Sequence, residues 1–125
     1  MTKKSKTIHQ VETISAEDCW ALDKAEQSYG DSWKKRGGVG AFMMLARKWD
    51  RIEKQVSENH EHQYDIFNAY THDDREEGII DDIKDLRRYL LLVEAEMIIR
   101  KEQKENQGEL FHARKMDNEE YDARN

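Results

Sequence analysis

Two pairs of acidic residues have the type and spacing to bind a metal ion together. Asp82 and Asp85 lie three residues apart within "DDIKDLRRYLLLV", and Asp50 and Glu53 repeat that spacing within "KWDRIEK". Residues three apart share one face of an α-helix, and carboxylate oxygens suit Mg²⁺ or Mn²⁺. If the two helices pack together, we expect the four carboxylates to face each other, where they repel unless protons or cations intervene.

The same acids also have a simpler interpretation. Asp and Glu together number 27 in 125 residues, so acidic pairs at this spacing are expected by chance. Most such residues lie on solvated faces or pair with lysine and arginine. Asp50 can pair with Lys54 in this way, and Asp85 with Lys84 or Arg88.

Basic and aromatic residues near these acids are candidates for binding a nucleotide. Lys34, Lys35 and Arg36 lie beside the glycines of "WKKRGGVG", where they either hold phosphates or form a solvated basic loop. Lys48 and Arg51 flank the first acidic pair, where they either bind phosphate or form salt bridges. Two aromatic residues either contact the ligand or pack in the core: Trp33 and Tyr89.

The first helices that position these residues are predicted from caps and apolar periodicity. "SAEDCWALDKAEQSYG" predicts a helix capped by Ser15, with Asp18 as a box-like partner, and ended by Gly30. "AFMMLARKWDRIEKQVSEN" predicts a second helix, because its apolar residues recur at spacings of three and four. We expect one further short helix around Ile66 and Tyr70.

The most apolar run of the chain predicts a long third helix from near Asp74 to about Lys101. Its stripe runs from Ile79 to Met97 at alternating spacings of four and three, which favours packing along another helix. One chain has too few helices to cover its stripes. We therefore expect an all-α helical bundle with one long C-terminal core helix, completed by oligomerisation into a homodimer or homotetramer with Leu90 near the interface.

The composition indicates a soluble helical protein. Charged residues make up 38% of the chain, proline is absent, and the net charge is −6, which argues against direct nucleic-acid binding. The single cysteine fits a reducing compartment, and no apolar stretch approaches the ~20 residues of a membrane span. We expect a cytoplasmic protein with a flexible arm (1–13), an all-α nucleotide-handling domain (14–101) and a polar, mobile tail (102–125).

The segment "DDIKDLRRYLLLV" resembles the second acidic motif of the MazG-like all-α nucleoside triphosphate pyrophosphatases. Members carry E-x-x-E on one helix and E-x-x-D on the next long helix. Asp50-x-x-Glu53 matches the first motif and Asp82-x-x-Asp85 the second, with Asp in place of Glu at the first position of both pairs. The resemblance implies metal-dependent cleavage of a (deoxy)nucleoside triphosphate to monophosphate and pyrophosphate, with these four acids as metal ligands and catalytic residues.

Residues 29–93 are similar to a small phage and bacterial domain associated with nucleotide modification. "YGDSWKKRGGVGAFMMLARKWDRI" followed by "DDIKDLRRYLLL" carries this similarity. The matching positions are Tyr29, Gly30, Trp33, Gly40, Lys48, Arg51, Asp85, Leu86 and Tyr89. The similarity implies nucleotide handling, a phage origin and a role in adjusting the host's deoxynucleotide pool.

A competing interpretation is a non-catalytic acidic helical interaction protein, whose surface and tail bind a protein partner. The convergence of the four carboxylates distinguishes the two interpretations. A metal-dependent enzyme brings these side chains together, whereas an interaction protein scatters them over solvated faces.

Overall fold

The computed structural model describes residues 3–59 and 62–124, with side chains described as far as residue 116. These residues form α-helices and no strand, which confirms the all-α prediction and the long C-terminal helix. The helices are α1 (Lys6–Tyr29), α2 (Gly37–Ser57), α3 (Ile66–Thr71) and α4 (Ile79–Arg124), and a 3-10 turn, Ser32–Lys34, joins α1 to α2. Among them, none is long and apolar enough to cross a membrane.

The first helix begins well before the predicted cap at Ser15. The Ser5 hydroxyl accepts a hydrogen bond from the Ile8 N–H at 3.2 Å and caps the helix there. Residues 6–13, which we predicted as a flexible arm, are therefore helical, while Met1 and Thr2 lie outside the described residues. The predicted end at Gly30 is confirmed, because this residue adopts a positive φ of 63° after the last turn.

The second helix turns only part of its apolar surface inward. Ile52 and Val56 are buried, whereas Phe42 and Trp49 of the same predicted stripe are 66% and 55% exposed. The buried apolar side chains among the described residues come from α2, α3 and the start of α4: Ile52, Val56, Ala69 and Ile79. The predicted short helix is confirmed as α3, and this small core lies at the C-terminal end of α2.

The long helix begins at Ile79 rather than near Asp74, because a side chain from the preceding loop caps it. The Ile79 N–H donates to Asp73 Oδ2 at 2.7 Å. Gly78 is buried at this contact, and a Cβ atom there would lie 2.1 Å from the same oxygen. Glycine is therefore the residue that allows the capping carboxylate to approach the helix start.

The chain divides into two compact units, Met1–Leu90 and Leu91–Asn125. The first holds α1, α2, α3 and the beginning of α4. The second is helical as far as Arg124, beyond the predicted end near Lys101, because its glutamate, lysine and glutamine residues favour helix without a buried stripe. Residues 102–124 of the predicted mobile tail are thus helical.

Candidate functional site

One face of α2 meets the beginning of α4 through polar side chains. Lys48 Nζ lies 3.0 Å from Asp85 Oδ2, and Arg51 Nε lies 3.0 Å from Asp82 Oδ1. Gln55 Nε2 donates to Asp82 Oδ2 at 2.9 Å. Lys48 binds Asp85, whereas Arg51 and Gln55, which come later in α2, bind Asp82, which comes earlier in α4. The two segments therefore run antiparallel.

The two acids of this face differ in exposure. The side chain of Asp82 is only 3% exposed, and both of its oxygens are bound, one by Arg51 and one by Gln55. A buried carboxylate needs such partners because desolvation otherwise disfavours it strongly. The side chain of Asp85 is 46% exposed, so water can replace its contact with Lys48. Asp82 is therefore the fixed carboxylate of this face, whereas Asp85 can exchange its partner Lys48 for water.

A chain of hydrogen bonds extends from Asp82 to the start of α4. Gln55, which binds Asp82, also accepts from Arg75 Nη2. Arg75 in turn binds Asp73 with Nε–Oδ1 and Nη2–Oδ2 distances of 2.8 and 3.0 Å. The Arg75 guanidinium, followed by the Ile79 N–H, holds the pKa of Asp73 well below its usual value. The loop before α4 is thus tied to α2.

The structure does not bring the four predicted metal ligands together. Asp50 and Glu53 are exposed, and within residues 3–59 and 62–124 no three His, Cys, Asp or Glu side chains gather closely enough to hold a metal ion. Lys48 and Arg51 occupy the side of α2 that faces α4. The expected convergence of the two acidic pairs is therefore not the arrangement found, and a metal-binding role for them stays a prediction.

A cavity of about 260 Å³ lies next to this face, one turn further along α4 from Asp85. Its lining residues are Ser32, Trp33, Arg36, Gly40, Met44 and Tyr89. The cavity brings together Trp33 and Tyr89, the two aromatic residues that we predicted to contact a ligand. Both are half-buried, so each has one surface packed against protein and one facing the cavity or solvent.

The wall of the cavity depends on a close approach between Arg36 and Gly40. A Cβ atom at Gly40 would lie 2.7 Å from the Cβ of Arg36. Arg36 is the residue that precedes α2, so the approach sets the path of the chain into the helix. Met44 was not predicted for this site, although Gly40, Met44 and Lys48 follow one another at steps of four and thus share a helix face.

The two lysines of the preceding loop lie outside this lining. Lys34 Nζ is 3.5 Å from Asp31 Oδ2, in a contact between residues three apart. Lys35 is exposed at the end of the 3-10 turn. Neither lysine lines the cavity, so their predicted contact with phosphates remains a prediction.

A buried ion cluster between α1 and α4 was not foreseen from the sequence. Asp18, with 1% of its surface exposed, is bound by Arg87 and Arg88 of α4. Hydrogen bonds from Arg87 lower the pKa of Asp18 to about 2 despite the opposing effect of burial. The partners are 69 and 70 residues apart in sequence, so no local motif indicates the contact.

Comparison with known proteins gave no match: no family model, no curated protein and no solved structure matches this chain. The two resemblances noted in the sequence therefore remain expectations, and the side-chain geometry has to support any proposal of function.

Proposed function

We propose that the protein binds a (deoxy)nucleoside triphosphate along the face that α2 shares with α4. The observation that carries this proposal is the cavity that Trp33 and Tyr89 line together with Arg36. Aromatic side chains can stack on a base, and a guanidinium group forms strong hydrogen bonds with phosphate oxygens. A nucleotide needs both kinds of partner within a short distance of each other.

Further cations continue from this cavity along the same helix face. With a rise of 1.5 Å per residue, Lys48 lies about 6 Å and Arg51 about 10 Å along α2 from Met44. A phosphate chain that extends from a base in the cavity can therefore reach both side chains. Base and phosphates would then occupy successive turns of one antiparallel helix pair.

Asp82 and Asp85 position Arg51 and Lys48, and both cations can still bind an anion. Asp85 is half exposed, so a phosphate can replace it on Lys48 with little loss of buried contact. Arg51 uses Nε for its contact with the buried Asp82, and a guanidinium carries five N–H donors. Arg51 can therefore stay anchored to Asp82 while its remaining donors bind phosphate.

The reaction we propose is the one that the MazG-like resemblance implies, hydrolysis of the triphosphate, in which water adds to the α-phosphorus and pyrophosphate leaves the monophosphate. That chemistry would use Mg²⁺ or Mn²⁺. However, Arg51 and Lys48 bind Asp82 and Asp85, and Asp50 and Glu53 are exposed, so these acids do not fit a ready metal centre. This chain's own cations would instead bind the phosphates and offset their charge.

The biological setting we propose is the adjustment of a deoxynucleotide pool for phage DNA synthesis or modification, in the cytoplasm of the host. This setting rests on the resemblance of residues 29–93 alone. The nucleotide-binding proposal does not depend on it, because it rests on the side chains of the cavity and of the adjoining helix face.

Calorimetric titration with each common NTP and dNTP tests binding, and detection of pyrophosphate with and without Mg²⁺ tests cleavage. We expect Trp33→Ala and Tyr89→Ala to weaken nucleotide binding at least about tenfold, the size typical for loss of one stacking partner. Tyr70→Ala is the matched control, because Tyr70 is 53% exposed on α3 and does not line the cavity. Failure of the wild type to bind any nucleotide would overturn the proposal.

A second candidate is the non-catalytic interaction protein, and the exposed apolar surface favours it. Leu90 and Met97 of the α4 stripe are 49% and 65% exposed, and Trp49 of α2 is 55% exposed. Large apolar side chains exposed on a helix are typical of surfaces that bind another protein. We propose on this basis that the chain forms a homodimer or homotetramer. Nucleotide binding and self-association are compatible, so the release of pyrophosphate is the measurement that separates an enzyme from a non-catalytic protein.

A further inference from the structure

The side chains around the cavity donate hydrogen bonds more readily than they accept them. Arg36 and Trp33 carry N–H groups that only donate, while the hydroxyl groups of Ser32 and Tyr89 can do either. None of the six lining residues, all of which the structure describes, carries a carboxylate or a side-chain amide. A ligand in this cavity therefore needs hydrogen-bond acceptors on the edge that it turns towards the protein.

Arg36 is the strongest donor of this lining, and its side chain is available to a ligand. Within residues 3–59 and 62–124, the guanidinium group of Arg36 makes no ion pair and no hydrogen bond, and the side chain is exposed. By contrast, three other arginines each lie within 3.0 Å of a carboxylate oxygen: Arg51, Arg75 and Arg87. A ligand that binds Arg36 therefore displaces only water from it.

Arg36 can serve a phosphate as well as a base, and its position decides between the two. Arg36, Gly40, Met44 and Lys48 follow one another at steps of four, with Arg36 immediately before α2. At 1.5 Å per residue, Lys48 lies about 18 Å along the helix from Arg36, with two lining residues of the cavity between them. In the binding mode proposed above, on which this inference rests, the phosphates reach Lys48 and Arg51. The nucleotide then turns its base towards Arg36.

The shape of the guanidinium group selects among the bases. Its two parallel N–H donors fit two acceptors that lie side by side, and O6 and N7 of guanine are such a pair. Adenine presents the N6 amino group beside N7, and cytosine presents the N4 amino group, so each would turn a donor towards a donor. An N–H group in that position loses its bond to water without a replacement. Thymine offers O4 beside a methyl group and can accept only one of the two bonds.

We propose that the cavity selects guanine, with the Arg36 guanidinium donating to O6 and N7 of a base that contacts Trp33 and Tyr89. The substrate class is then a guanosine or deoxyguanosine triphosphate. The N2 amino group of guanine takes no part in this contact, so hypoxanthine, which keeps O6 and N7, is accepted as well. Arg36 determines the choice of base and acts neither on the phosphates nor on the reacting atoms.

Calorimetric titration without Mg²⁺ tests the proposal with nucleotides that differ in single groups. We expect dGTP and dITP to bind alike and at least about tenfold more tightly than dATP, dCTP or TTP, the size typical of one bidentate contact to a base. We expect 7-deaza-dGTP, which lacks N7, to bind more weakly than dGTP. Equal binding of dATP and dGTP, or undiminished binding of 7-deaza-dGTP, would overturn the selectivity while nucleotide binding itself stands. A wild type that binds no nucleotide would overturn both proposals.

Arg36→Gln tests the residue itself, because a glutamine amide presents one donor and one acceptor and fits N6 and N7 of adenine. This variant should bind dATP at least as tightly as dGTP. Arg47→Gln is the matched control, because Arg47 is exposed on α2 outside the cavity lining, so the same loss of charge should keep the preference for dGTP. Circular dichroism checks that both variants keep their helices. If Arg36→Gln instead weakens all dNTPs and inorganic triphosphate by one factor, Arg36 binds phosphate and the proposal is wrong.

Discussion

Arg87 of α4 donates two hydrogen bonds to Asp18 of α1, with an Nε–Oδ2 distance of 2.5 Å and an Nη2–Oδ1 distance of 2.7 Å. Arg88 adds a third hydrogen bond to Oδ1 at 2.8 Å. Within α1, all of whose residues are described, Asp18 is the one buried residue. This ion cluster, beside the half-buried apolar residues Ile14, Ala21 and Leu22, therefore ties α1 to α4.

We predict that Asp18→Ala destabilises the protein by about 2–3 kcal/mol, because it leaves two arginines without their shared partner. The figure is below the usual range for a buried pair, since Arg87 and Arg88 are 31% and 26% exposed and can turn to water. Urea unfolding followed by circular dichroism measures the change. Asp23→Ala, at an exposed position of the same helix, should change stability by less than about 0.5 kcal/mol.

The depressed pKa of Asp18 predicts a specific loss of stability in acid. Its pKa falls from 3.8 to about 2 in the folded protein, mainly through hydrogen bonds from Arg87. The unfolded chain therefore takes up the proton first, and the stabilisation of about 2 kcal/mol is present above pH 4 and lost as the pH falls through 2. The stability difference between wild type and Asp18→Asn should shrink over this range. A constant difference would show that Asp18 keeps an ordinary pKa.

Much of the fold could be predicted because helix signals are local. The apolar spacing around Ile52 and Val56 predicted α2, and Gly30 marked the end of α1 correctly. Two features needed tertiary information. Periodicity shows that Trp49 shares a face with Ile52 but not which part of that face a neighbour covers. Ser5 and Ser15 are both suitable caps, and only the folded chain shows which one begins the helix.

The sequence likewise indicated some residues of the candidate site and missed the orientation of others. The structure places Trp33, from a loop, and Tyr89, from a helix, around one cavity, while their contact with a ligand stays a prediction. Asp50 and Glu53 were expected to face α4, but Lys48 and Arg51 do so. The two sets have the same spacing of three and lie two residues apart, so the sequence alone does not show which set a helix turns inward.

The start of α4 should not tolerate a side chain at Gly78. We predict that Gly78→Ala destabilises the protein by about 1–3 kcal/mol, because its Cβ would displace the Asp73 carboxylate that caps Ile79. In an Asp73→Ala background the same substitution should have little further effect, and this coupling is read from a double-mutant cycle by urea unfolding. Gly108→Ala is the control: its Cβ would meet open space in α4, so helix content should rise slightly.

Divalent ions alone should leave the melting temperature unchanged. Arg51 and Lys48 already bind Asp82 and Asp85, and an ion stabilises the folded state only if that state binds it. Thermal melts with and without Mn²⁺ measure this. Asp85→Asn should itself change stability by less than about 1 kcal/mol, because its ion pair is half exposed. A rise with Mn²⁺ in the wild type that Asp85→Asn removes would instead establish the acidic pairs as a metal site.

Deletion of residues 102–125 should shorten α4 without weakening the first unit. The side chains of residues 102–116 are all exposed, including Leu110 and Phe111 at 55% and 71%. The deletion removes roughly a quarter of the α-helical residues, so the helix signal by circular dichroism should fall by that share. The melting temperature should shift by less than about 2 °C, since a helix that buries little apolar surface contributes little to the core. A larger fall in the melting temperature, or loss of the oligomer in light scattering, would show that Leu110 and Phe111 dock on the first unit or on a second copy.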